Sequence, residues 1–348
     1  MRFKSTIFDR KFAFAVMCAG LGAAVFSYVE FPLPMLLGPM AACLVASLAG
    51  IPMASDRNLG ILMRTILGVA FGASITPELV GRVPEIMISL FFVPLFVIAM
   101  GCVGYPYFRR IVGFDQKTSY YSAMPGGMQE MVLFGEDEGV NVRAVSLVHA
   151  TRLVMVFTFV PIVATHYFGL NLDRPPGAPA ASLPWHEIAI MIISGVVGWR
   201  IALAMRIPGS SIIGPMILTA ILSLSGIVNS RPPFEMMLVA QFFIGLGLGV
   251  RYSGISPREL RSIVVAGLGY CVLALLTCFA LILAIRDFLD AEYIDVLLAF
   301  LPGGQAEMAM IALIAGTDVA YVVSHHLLRV FIVIAFAKLV AGFLKLRD

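Results

Sequence analysis

The chain has 348 residues, of which 60% are hydrophobic and 13% charged, with a formal net charge of +3. Soluble domains run at roughly 45–50% apolar and about 25% charged, so a soluble globular enzyme is excluded, as are disordered, collagenous and disulfide-stapled chains. There is no basic tract suited to nucleic acid, whereas apolar runs near the ~20 residues that cross a bilayer recur from end to end. The pattern predicts an all-α polytopic membrane protein, with the lipid bilayer as its standing partner.

In chain order, the run Phe12–Val29 follows Arg2, Lys4, Arg10 and Lys11 and reads as a retained crossing, because no polar cleavage region follows it. Further crossings are expected at about 34–51, 58–75, 86–106 and 143–167, then at about 187–205, 211–228, 235–251, 263–285 and 318–344. Two more apolar segments, about 117–134 and 295–314, are each broken by Pro-Gly-Gly. Residues 169–187 form the only Pro/Gly/Ala-rich stretch and read as a linker between 1–168 and 188–348. The five cysteines all lie inside apolar runs and behave there as small hydrophobes.

The two halves repeat each other at a shift of about 177. Leu37-Gly38-Pro39-Met40 returns as Ile213-Gly214-Pro215-Met216, and Gly68-x-x-x-Gly72 as Gly245-x-x-x-Gly249. Pro125-Gly126-Gly127 returns as Pro302-Gly303-Gly304, and Glu130 as Glu307. Asn141, His149 and Arg152 match Asp318, His326 and Arg329. Low complexity does not keep polar residues in step with glycines over such a distance.

If the broken segments cross the membrane, the halves are parallel; if they are re-entrant, the second half is inverted. With the N-terminus placed in the cytoplasm by its four early cations, the re-entrant arrangement puts Arg206, Arg251, Arg258, Arg261, Lys345 and Arg347 inside, with Arg231 and Arg286 outside. Twelve crossings would divide these cations evenly. The expected architecture is therefore ten crossings, two re-entrant segments and two inverted repeats, with both termini cytoplasmic.

Charges at bilayer depth cost at least ~2.5–3.5 kcal/mol, so each calls for a reason. Arg200 and Lys338 lie near span ends and read as snorkelling cations. Arg64 matches Gln241, which gives it no charged counterpart. Asn141 and Asp318 read as N-caps of the last helix in each half, and Ser210-Ser211 as the N-cap of the span that follows. The duplicated Pro-Gly-Gly, Glu, His, Arg set is different. A helix broken in mid-membrane leaves backbone groups unpaired unless protein or a watery cavity covers them. Its restarted arm points a positive dipole end inwards. Paired broken helices build the substrate sites of secondary transporters, although a glycine kink can also serve close packing alone.

The candidate site is accordingly Gly126, Gly127, Glu130, His149 and Arg152 with Gly303, Gly304, Glu307, His326 and Arg329. Each His–Arg pair is three residues apart and shares a helix face. These residues either form a site for a small anionic solute or tie each broken segment to the last helix of its half. Neither His-x-x-x-His nor a Cys-rich ligand set is present, so no metal or other cofactor is expected.

The duplicated Leu-Gly-Pro-Met and Pro-Gly-Gly…Arg elements resemble the AbrB-duplication family of bacterial inner-membrane proteins across essentially the whole chain. The resemblance implies a duplicated membrane permease. The family also carries the labels ammonia monooxygenase and transcriptional regulator, the latter shared with an unrelated small DNA-binding protein. Gly38, Pro39, Gly126, Gly127 and Arg152, with Gly214, Pro215, Gly303, Gly304 and Arg329, are the positions that match. Family members often place Gln at His149 and His326 and small apolar residues at the two glutamates, so coupling through those four would be this chain's own feature.

The expectation is a non-enzymatic secondary transporter of a small-molecule or ion substrate in the bacterial inner membrane. Alternatives are an intramembrane metal-dependent enzyme of the monooxygenase type and a membrane regulator acting through a partner. Assembly as a homo-oligomer is left open.

Overall fold

The computed structural model describes residues 10–75, 77, 83–128, 131–132, 135, 138–170, 172, 177–207 and 209–343. Among them every regular element is helical. The first half comprises α1 (Arg10–Tyr28), α2 (Pro34–Leu48), α3 (Arg57–Gly72), α4 (Val83–Leu90), α5 (Val93–Pro106), α6 (Gln116–Ala123) and α7 (Val142–His166). The second comprises α8 (Trp185–Ala204), α9 (Ser210–Leu224), α10 (Phe234–Val250), α11 (Val265–Ile285), α12 (Tyr293–Phe300), α13 (Gln305–Ala315) and α14 (Val319–Phe343).

Among the described residues, six segments are long and apolar enough to cross a membrane: Arg10–Tyr28, Ile86–Val112, Val142–His166, Trp185–Ala204, Pro257–Phe288 and Val319–Phe336. Helices α2, α3, α9 and α10 have 15, 16, 15 and 17 residues. At 1.5 Å per residue they rise only about 22–26 Å, short of the ~30 Å hydrocarbon core. Six of the ten expected crossings thus meet the requirement of length and composition, and these four short helices do not.

The chain divides into two compact units, and each draws on both halves of the sequence. The first holds residues 1–81, 160–255 and 309–320, hence α1–α3 and α8–α10. Here α2 packs on α1 and α10, and α9 packs on α8 and α3. Glycine decides these contacts. A Cβ on Gly22 or Gly38 would overlap the other's backbone, as would one on Gly198 or Gly214. Gly68 and Gly72 of α3 lie against the Ile212 and Met216 carbonyls of α9, while Gly245 and Gly249 of α10 lie against the Leu36 and Met40 carbonyls of α2. A four-residue glycine spacing thus matches a four-residue carbonyl spacing on the facing helix, the close approach that G-x-x-x-G permits.

The second unit holds residues 82–159, 256–308 and 321–348. Its first-half helices are α4, α5, α6 and most of α7; α11, α12 and most of α14 come from the second half. Arg143, at the start of α7, forms an exposed ion pair with Glu259, which closes a capping box with Ser256. Asn141 caps α7 as expected, its Oδ1 accepting from the Ala144 N–H at 3.0 Å. The expected Ser210-Ser211 cap is corrected. Gly209, in a left-handed conformation, precedes α9 with no side-chain cap, and the Ser211 hydroxyl instead accepts from Arg64 Nε at 3.2 Å.

Candidate functional site

The first arm and the break of both segments lie in the second unit, while α13 belongs to the first from Ala309 onwards; the same local physics stops each first arm. Helix α6 starts on Asp115, whose Oδ1 accepts from the Thr118 N–H at 2.7 Å, and it ends at Ala123. Met124 precedes Pro125 and is held extended at ψ 132°; Leu301 precedes Pro302 and is extended at ψ 140°. The helix restarts where the Met131 N–H reaches the Gly127 carbonyl and the Met308 N–H reaches that of Gly304, each at 3.0 Å. The restarted methionine then folds back over the break. A Cβ on Gly126 would come within 2.8 Å of Met131 Cε, and one on Gly303 within 2.6 Å of Met308 Cγ. Neither glycine has a positive φ, so close packing and not backbone strain requires glycine there.

The break strips carbonyls of their helical donors, and the last helix of each half supplies replacements. His149 Nε2–H donates to the Tyr121 carbonyl at 3.0 Å. Arg152 sends Nη2–H to the Gly126 carbonyl at 3.0 Å and Nη1–H towards that of Met124 at 3.5 Å. In the other half His326 Nε2–H donates to the Leu298 carbonyl at 2.9 Å. Arg329 donates from Nη1 to Leu301 at 2.9 Å and from Nη2 to Gly303 at 2.6 Å. Both clamps close over sequence separations of 28 and 26 residues. All four side chains are inaccessible: Arg152 is 1% exposed, Arg329 3%, and both histidines 0%.

Each histidine gives its Nε2–H to a carbonyl; the Nδ1 of His326 faces an arginine donor, so it is a lone-pair acceptor on a neutral ring. His326 Nδ1 accepts from Arg329 Nη2 at 2.7 Å. His149 Nδ1 and Arg329 Nε find no hydrogen-bond partner among the described residues, nor does the Nε2 of Gln305, which opens α13. The Arg329 guanidinium also lies 5.9 Å from the centre of the Phe96 ring. Each arginine brings a full positive charge to the helix-breaking carbonyls, and the two are near enough to repel one another.

Eight of the ten sequence-derived site residues thus meet in one unit. Glu130 lies outside the described residues. Glu307 lies on α13, and its side chain is also outside them. The arginines, expected to contact solute, devote donors to the broken backbone. Arg200 is exposed beside Trp199, as a snorkelling cation would be; the Lys338 side chain lies outside the described residues.

Sequence reasoning missed three groups. Tyr270 of α11 donates its hydroxyl to the Ala123 carbonyl, another acceptor freed by the break. Ser89 of α4 and Tyr321 of α14 join His325 in a buried chain. The one tyrosine in the largely apolar span 265–285 was the available signal, since a buried hydroxyl needs a partner. Among the described residues no three of His, Cys, Asp and Glu gather as a metal site would require.

Apolar helices of membrane-crossing length, with two broken segments whose carbonyls are held by buried cations, define a polytopic membrane protein. The chain belongs to the AbrB family: the family model described as "Transition state regulatory protein AbrB" matches residues 35–345. It is 24% identical over 329 residues to a protein of Escherichia coli (strain K12) named "Putative regulator AbrB", covering 92% of each chain. It is 23% identical over 345 residues to "Uncharacterized protein YhjN" of Bacillus subtilis (strain 168), covering 92% of this chain and 89% of that one. No solved structure matches.

Proposed function

We propose that this chain is a secondary transporter of the bacterial inner membrane that moves a small polar anion by alternating access, binding it at the two helix breaks of the second unit. In this reading the halves are inverted repeats, each of five crossings and one re-entrant segment, and both termini are cytoplasmic. The protein acts without a metal or cofactor and is not an enzyme. Assembly as a homo-oligomer is compatible with it.

The observation that carries the reading is the pair of buried Arg–carbonyl clamps, made twice at the same separations. A kink that served packing alone could satisfy its carbonyls with neutral donors, as Tyr270 does for Ala123. A buried guanidinium costs far more, and an anion beside Arg329, whose Nε–H has no partner among the described residues, offsets that cost. Arg329 Nε–H, the Gln305 amide and the backbone N–H groups opening α13 are the donors that would receive it. His149 and His326 hold the first arms in place, and Glu130 and Glu307, three residues after Gly127 and Gly304 in the sequence, are the groups that couple solute to a proton or cation.

The test is an anion screen on purified protein, reading the thermal midpoint with a panel of inorganic anions and small carboxylates. At least one anion should raise the midpoint of the wild type. That rise should vanish in Arg329→Ala and Arg152→Ala while the helical circular dichroism persists, and Arg329→Lys should recover part of it. Uptake of the same anion into proteoliposomes should fall with the shift. A shift that survives both alanine substitutions would remove the site. Stoichiometric copper, iron or zinc would favour the enzyme, and a stable partner without flux would favour the regulator that the family description names.

A further inference from the structure

A cavity of about 350 Å³ opens along the second unit between α5, α6 and α14, with none of the clamps' polar donors in its lining. Its wall is almost wholly apolar. Helix α5 contributes Val97, Ile98, Gly101, Cys102, Tyr105 and Pro106, a stripe that repeats every four residues and rises about 13 Å. That rise is close to the hydrocarbon depth of one leaflet, ~15 Å. Gly101 makes the groove possible, since a Cβ there would press on the Met124 methyl group. Tyr120 of α6 and Met124, the residue just after that helix, line the opposite wall.

The polar end of the groove is cationic. Beyond Pro106 the helix widens into a π turn, Tyr107–Val112, and the next pair of the stripe is Arg109 and Arg110, both exposed. Arg109 Nη1–H donates to the Phe114 carbonyl at 2.8 Å, which holds it over the connection into α6, at the same end as Tyr105 and Tyr120. An apolar slot one leaflet deep, two tyrosines near its mouth and two arginines above them match an acyl chain, its glycerol region and a phosphate in sequence. We infer that this groove binds one anionic phospholipid, with an acyl chain along Val97–Pro106 and the phosphate at Arg109 and Arg110. The inference needs only that the chain lies in a membrane and stands apart from the transport reading. It carries a consequence for the clamps, however: Met124, which lines the groove, presents its carbonyl towards Arg152.

The experiment counts bound lipid by native mass spectrometry on detergent-purified full-length protein titrated with phosphatidylglycerol or phosphatidylcholine. One phosphatidylglycerol should be retained per chain, preferred over phosphatidylcholine by roughly 25-fold, taking roughly fivefold for each arginine near an anionic headgroup. Arg109→Gln/Arg110→Gln should keep a lipid but lose the preference. Cys102→Phe, which fills the slot from an exposed position, should lose both lipids, and Ile98→Phe provides the same blockade should the first variant fail to fold. Equal retention of both lipids by the wild type would overturn the headgroup assignment. Undiminished retention in a folded slot-filling variant would overturn the groove.

Discussion

Arg329 Nη2 donates to His326 Nδ1 at 2.7 Å while the opposite edge of the same imidazole donates to the Leu298 carbonyl at 2.9 Å. The ring is therefore a bridge with a fixed direction, donor on one side and acceptor on the other. It couples the guanidinium that clamps Leu301 and Gly303 to the helix that ends two residues before the break.

A side chain that reproduces both roles should replace it. Glutamine offers an amide N–H for the Leu298 carbonyl and a carbonyl oxygen for Arg329. The midpoint of His326→Gln should lie within about 1 kcal/mol of wild type, whereas His326→Phe should lose roughly 1–3 kcal/mol for each of the two groups it leaves unpaired. Denaturation in detergent, followed by circular dichroism, measures both. Equal losses would mean that the ring acts by shape alone.

The first unit makes a sharper prediction within a single helix. A Cβ on Gly245 would overlap the Leu36 carbonyl, while one on Gly247, two residues on, meets nothing within 4 Å. Gly245→Ala must force α10 off α2 and should cost about 1–3 kcal/mol, the usual range for overpacking, or more. Gly247→Ala should stabilise by roughly 0.5–1 kcal/mol through helix propensity. Both are read as shifts in thermal midpoint, and a matching sign for the two would contradict the interlocking described for α2 and α10.

Ser89, Tyr321 and His325 should behave as one unit. His325 Nδ1–H donates to the Tyr321 carbonyl at 2.7 Å, so its Nε2 accepts from the Ser89 hydroxyl at 2.8 Å. Ser89 in turn accepts from the Tyr321 hydroxyl. Removing any member strands the others in a dry interior. Ser89→Ala and Tyr321→Phe should each cost about 1–3 kcal/mol, and the double variant should cost less than their sum by at least 0.5 kcal/mol. Strict additivity in a double-mutant cycle would show that the chain of bonds is not a unit.

Some of this was written in the residue order alone. Apolar runs announced helices for a membrane, and Pro125 and Pro302 marked where two of them stop, because proline removes a donor and forces its predecessor to extend. Asn141 announced a cap, and the spacing of His149 with Arg152 and of His326 with Arg329 put each pair on one helix face. These are local effects, settled within a turn or two of chain. The acceptors of those cations were not legible, since every carbonyl looks alike in a sequence and only packing decides which one loses its helical partner. Nor was the division into units, which takes α1–α3 with α8–α10 and sets glycines of one half against carbonyls of the other. That choice depends on which surfaces come close enough for backbones to touch, over sequence separations of 140 residues and more, where no periodicity reaches.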